Sequence, residues 1–114
     1  MLKKQYRLKK RKSFNYIYRK GKHVGHALLT MTFVYARMKD SPLKIGFSAS
    51  KKVGNSVVRH RAVRKMRAAC KMVMASVKEN HSIIFAAKPG IDKEHVNDIA
   101  KAMEVVLKKA GLWK

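Results

Sequence analysis

The stretch GFSASKKVGNSVVRHRAVRKMR, residues 46–67, changes from a period of two to a period near 3.6, and so marks a joint between a strand and a helix. Its entry is LKIGFSAS, residues 43–50. There Leu43, Ile45, Phe47 and Ala49 fall on one face, and Lys44, Gly46, Ser48 and Ser50 on the other. After Gly54 and Asn55, apolar residues recur at spacings of three and four: Ala62, Val63, Met66, Ala69, Cys70, Val73 and Val77. The spacing predicts a helix running to about Lys78 with one buried stripe. The opposite side carries His60, Arg61, Arg64, Lys65, Arg67, Lys71 and Lys78. Residues 50–67 hold seven Lys or Arg and no acid. A solvated helix face usually mixes signs so that residues four apart can pair. A face of bases alone suits phosphates, because each phosphate it neutralises releases condensed counterions. The loop Lys51 to Gly54 enters the helix N-terminus, which adds backbone donors and the positive end of the helix dipole.

Upstream, HALLTMTFVYARM (26–38) is β-branched and aromatic and reads as a strand. It is followed by a turn at Asp40, Ser41 and Pro42, so the two strands are expected to form a hairpin. Leu29, Met31, Phe33 and Tyr35 join the core face. The other face gathers Thr30 and Thr32 with Lys44, Gly46, Ser48 and Ser50. These are too small and polar to bury a helix well, and an open or lightly covered sheet face, the floor of a groove, is expected. A basic arm (1–12) precedes Ser13, which is expected to cap a helix through Tyr18 or Arg19 that Gly21 stops. Phe14, Ile17 and Tyr18 share one side of it.

Downstream, SIIFAAK (82–88) reads as a strand closed by Lys88, Pro89 and Gly90. Asp92 is expected to cap a last helix whose stripe is Val96, Ile99, Met103, Val106, Leu107 and Ala110, with Trp113 packed over it. No linker or repeat divides the chain, so residues 1–114 are expected to form one domain.

Charge narrows the function. Residues 1–78 carry 22 bases and one acid, Asp40, whereas residues 79–114 carry 6 bases and 5 acids. A net charge of +22 opposes compaction unless a polyanion neutralises it in use. Nucleic acid is the expected partner. Phe14, Tyr16 and Tyr18 beside these bases suit unpaired nucleotides, with Phe14 the better packing residue and Tyr18 the better stacking one. An anionic membrane surface competes, but no segment has the apolar length of a spanning helix and no membrane partner is expected. The N-terminus, MLKKQYRLKKRK, does not continue into the apolar run of a signal peptide. Cys70 is the only cysteine, which excludes an internal disulfide and fits a cytoplasmic protein. The five histidines are dispersed, and His23 and His26 are expected in a solvated loop, not in a metal site. Asp40 is the sole acid of the basic half, and neither a carboxylate cluster nor a phosphate-cradling glycine loop is present. No catalytic residue is expected on the chain, and any cleavage it takes part in would draw its catalytic groups from elsewhere.

The stretch 46–67, taken with RLKKRKSFNYIYRKG near the start, resembles the paired signature of the bacterial ribonuclease P protein subunit. In that family Gly-x-Ser-x-Ser-Lys-Lys-x-Gly leads into Ala-Val-x-Arg-Asn-Arg. The resemblance implies an α/β sandwich of order αβββαβα, similar to the second domain of ribosomal protein S5. It implies a left-handed βαβ crossover, against the usual hand, and an extra strand near His23 to Gly25. It also implies the role of accessory subunit in a tRNA 5′-processing endoribonuclease. There a large catalytic RNA, one protein per RNA, uses Mg²⁺ to remove the 5′ leader of precursor tRNA. Carried over by position, Lys51, Lys52, Arg59, His60, Arg61, Arg64, Lys65 and Arg67 would contact the RNA subunit, and Phe14, Tyr18, Thr32 and Ser48 the leader. The chain departs from the pattern in having His60 for the central Asn, Val63 where Lys is common, and Thr32 where an aromatic is common. A structural ribosomal protein shares the charge and fold type. A self-sufficient nuclease lacks the acids it would need.

Overall fold

The computed structural model describes residues 7–8, 11–35 and 43–114; the turn expected at Asp40 to Pro42 lies outside them. Helix α1 (Arg11–Lys20) leads to strands β1 (Lys22–Gly25), β2 (Leu29–Tyr35) and β3 (Lys44–Ser48). Helix α2 (Ser56–Val73), strand β4 (His81–Ala87) and helix α3 (Val96–Lys109) complete the order αβββαβα. The chain folds as an α+β protein with a four-stranded mixed sheet, and the strand at His23 to Gly25 is present.

The sheet order is β1-β2-β4-β3, so β2 and β3 are not a hairpin. Strand β4 lies between them, antiparallel to β2 and parallel to β3. Composition explains the insertion. Ile83, Ile84 and Phe85 are consecutive and fully buried, so β4 needs cover on both faces and takes a central place. Its register sets Ile83 beside Phe33 and Ile45, and Phe85 beside Met31 and Phe47. With Leu29 and Leu43 these form the core face, packed by Ala62, Met66, Ala69, Cys70 and Val73 of α2 and by Ile99, Met103, Val106 and Leu107 of α3. Both helical stripes are as their periodicity predicts.

Helix α2 begins where its sequence directs. Gly54 has φ of 151°, and a Cβ there would lie 2.8 Å from a Val58 methyl carbon. Asn55 caps the helix, its Oδ1 accepting from the Val58 N–H at 3.0 Å. The helix ends at Val73, short of Lys78, and a 3₁₀ turn (Met74–Ser76) follows. Buried Val77 is then extended because it bridges Trp113, while the Lys78 N–H donates to the Leu112 carbonyl at 2.8 Å. Trp113 thus closes the chain onto residue 77, with the Lys108 ammonium 5.4 Å from its ring centre.

Two expected caps are displaced. Helix α1 already spans Arg11, ahead of Ser13, and α3 begins at Val96 after His95, whose side chain makes no cap bond. Asp92 instead lies buried in a 3₁₀ turn (Ile91–Lys93).

The second sheet face, expected to be open or lightly covered, is covered at its centre by α1. Ile84 of β4, invisible to a reading of β2 and β3 alone, adds apolar area there, and Ile17 is buried. Gly46 admits the ring of Phe14; a Cβ at Gly46 would fall 2.5 Å from the Phe14 Cζ. The smallness of the floor lets the helix approach closely. Arg7 and Leu8 also dock on the outer edge of β3, where Arg7 bridges Ile45 and the Leu8 N–H donates to the Ile45 carbonyl at 2.9 Å.

Candidate nucleic-acid interface

The bases of residues 50–67 divide by direction once α2 is folded. At 3.6 residues per turn, His60, Arg61 and Arg64 face away from the stripe, and all three are exposed. Lys71 continues the row. Lys51 and Lys52 are exposed in the preceding turn, held by buried Val53, whose N–H donates to the Ser50 carbonyl at 3.0 Å. Arg67 is half-buried on the flank. Among the described residues, none of these side chains pairs with a carboxylate.

Two predicted members point elsewhere. Lys65 turns toward the segment before α3, where its ammonium donates to the carbonyls of Asp92 at 2.7 Å and Glu94 at 2.8 Å. It ties α2 to that segment. Arg59 lies three and seven residues before Ala62 and Met66, on the stripe's own side of the helix. Its Nε is buried and meets no hydrogen-bond acceptor among the described residues.

The predicted leader residues gather around α1 and the sheet, in two layers. Tyr18 is 38% exposed, and its hydroxyl shares a 2.8 Å hydrogen bond with Ser48 Oγ, which holds the ring across the end of β3. Phe14 is half-buried over Gly46, a packing position. Thr32 is only 1% exposed, and its Oγ1 shares a 2.8 Å hydrogen bond with His23 Nδ1. The solvent-side group at that place is His23. It lies on β1 and not in a loop, and sequence reasoning missed it because only the β1–β2 register sets His23 opposite Thr32. Chain connection joins the two groups of residues: three residues beyond Ser48, the chain reaches Lys51. The open end of the small sheet face, with the Tyr18 ring beside it, therefore runs directly into the cationic turn and the start of α2.

Among the described residues, no three His, Cys, Asp or Glu side chains gather where they could hold a metal ion. Cys70, the one thiol, is sealed in the core, and burial pushes its pKa up to about 12, so it is no nucleophile. No helix of the described residues is long and apolar enough to cross a membrane.

A family model described as Ribonuclease P matches residues 2–111. A ribonuclease P protein component from Exiguobacterium sibiricum is 35% identical over 99% of this chain and 97% of its own length. One from Alkaliphilus metalliredigens is 34% identical over 93% of this chain and 94% of its own. Among solved structures, the RNase P protein of Staphylococcus aureus superposes with a TM-score of 0.80 at 28% identity, covering 96% of this chain and 98% of that one. The RNase P protein of Thermotoga maritima, 18% identical with a TM-score of 0.76, shares the fold over 90% of this chain and 96% of its own. A sequence match that spans nearly the whole chain, on a fold that carries the same order of elements, places this chain in the ribonuclease P protein component family.

Proposed function

We propose that the chain binds the catalytic RNA of ribonuclease P through Lys51, Lys52, His60, Arg61, Arg64 and Arg67, and lays the single-stranded 5′ leader of precursor tRNA beside Tyr18 and Ser48. Hydrolysis is left to the RNA and its Mg²⁺. The observation that carries this reading is the acid-free exposed row on α2, joined without a break to an exposed aromatic ring held over a small sheet face. The row supplies sequence-independent grip on phosphates. The ring supplies a stacking surface for an unpaired base. The metal is proposed to sit among RNA phosphates, whose hard oxygens suit Mg²⁺.

The test is reconstitution. Protein, cognate RNA and a precursor tRNA with its leader are mixed at low Mg²⁺, beside protein-alone and RNA-alone controls. Cleavage strongly stimulated only in the mixture is expected. Cleavage by the protein alone would overturn the assignment of catalysis to the RNA. No stimulation in any mixture would overturn the accessory role and favour a structural RNA-binding protein.

A further inference from the structure

A second aromatic cluster lies at the other end of the sheet, on its other face. Tyr35 closes β2 and pairs in register with His81, the first residue of β4. Their rings meet edge to face at 5.3 Å, and Phe33 stands 6.5 Å from the same imidazole at an interplanar angle of 58°. His81 is fixed from behind, its Nδ1–H donating to the Glu79 carbonyl at 2.7 Å. Tyr35 is 66% exposed, the most exposed of the large apolar side chains among the described residues. Lys22 of β1 pairs with Phe33, so its exposed side chain rises on the same face. Ser48 pairs with Ala86, five positions along β4 from His81, so this cluster and the Tyr18 ring occupy opposite ends of the sheet as well as opposite faces.

We propose that the Tyr35–His81–Phe33 cluster is a second stacking site for an unpaired nucleotide of RNA. Rings fixed against one another edge to face leave the exposed Tyr35 ring as a π-face for any base at little entropic cost, and Lys22 supplies the cation for the adjoining phosphate. Charge selects this occupant over a second copy of the chain, because two molecules of +22 repel each other while RNA is drawn in. The proposal rests on the RNA-binding reading above and adds a site to it.

The test uses the full chain and a single-stranded oligoribonucleotide, read by ring-proton NMR of Tyr18, Tyr35 and His81, together with affinity titrations of wild type, Tyr35→Ala, Tyr35→Phe and Tyr18→Ala. Expected are shifts at both Tyr35 and His81, an affinity loss of about tenfold in Tyr35→Ala, near-wild-type binding in Tyr35→Phe, and an unchanged salt slope in both. Binding with shifts at Tyr18 but none at Tyr35 and His81 overturns the second site and leaves the first standing. No binding overturns both. Shifts at Tyr35 that depend on protein concentration without RNA overturn the proposal in favour of self-association.

Discussion

Tyr18 and Thr32 show how one hydroxyl can decide what a neighbouring ring or helix does. The Tyr18–Ser48 bond of 2.8 Å at a partly exposed site fixes the orientation of the ring more than it stabilises the fold. Tyr18→Phe is therefore expected to lower stability by no more than about 1 kcal/mol, while Tyr18→Ala weakens binding of precursor tRNA and spares mature tRNA. Equal loss for the two tRNAs in a binding titration would refute the leader role. Cys70 gives a prediction of a different kind. Its thiol pKa is raised from 9.0 to about 12 by burial, so folding favours the protonated form. This contribution to stability is whole below about pH 9 and is lost as pH rises toward 12. Near pH 9 the native chain is expected to resist iodoacetamide that labels the denatured chain readily; equal labelling rates would contradict the burial.

The helices were legible as elements because their signals are local. The stripe of α2 lies within one contiguous run that follows Gly54 and Asn55, and from Ala62 to Val73 the structure reproduces it. Asn55→Ala is expected to cost about 1 kcal/mol in chemical denaturation, since one helix N–H loses its acceptor. The pairing of strands was not legible. The place of β3 is decided by β4, more than thirty residues later, and a hairpin reading cannot see that competitor. The site divides in the same way. Outward residues such as Arg61 and Arg64 follow from helical period alone, but the turning of Lys65 toward Asp92 and Glu94 depends on a segment that only tertiary packing brings near. Lys65→Met is expected to destabilise the fold by about 1–3 kcal/mol, as two carbonyls lose a charged donor. It should leave the salt dependence of RNA binding unchanged. A flattened salt slope in that variant would show that Lys65 contacts phosphate after all.

For the molecule as a whole, charge and fold are segregated along the chain. The half that carries almost all of the excess charge supplies the exposed surface of α1 and α2, and the near-neutral half supplies β4 and α3, most of whose apolar residues are buried. Binding to the RNA subunit is expected to weaken steeply as salt rises. Arg61→Ala and Arg64→Ala should each reduce the slope of log affinity against log salt by about one contact. Slopes unchanged in both variants would remove α2 from the interface.

The central position of β4 also bears on how the protein comes into being. Strands β2 and β3 have no common neighbour until residues 81–87 have been synthesised, and the Val77–Trp113 bridge waits for residue 113. Non-local pairing of this kind is slow to form. During translation, the segment with 22 bases and one acid therefore emerges before the sheet can close around it. A nascent chain in that state is an unfolded polycation at the surface of a ribosome. Its charge would draw any polyanion nearby before the fold is complete, making its early encounters a matter of timing as much as of affinity.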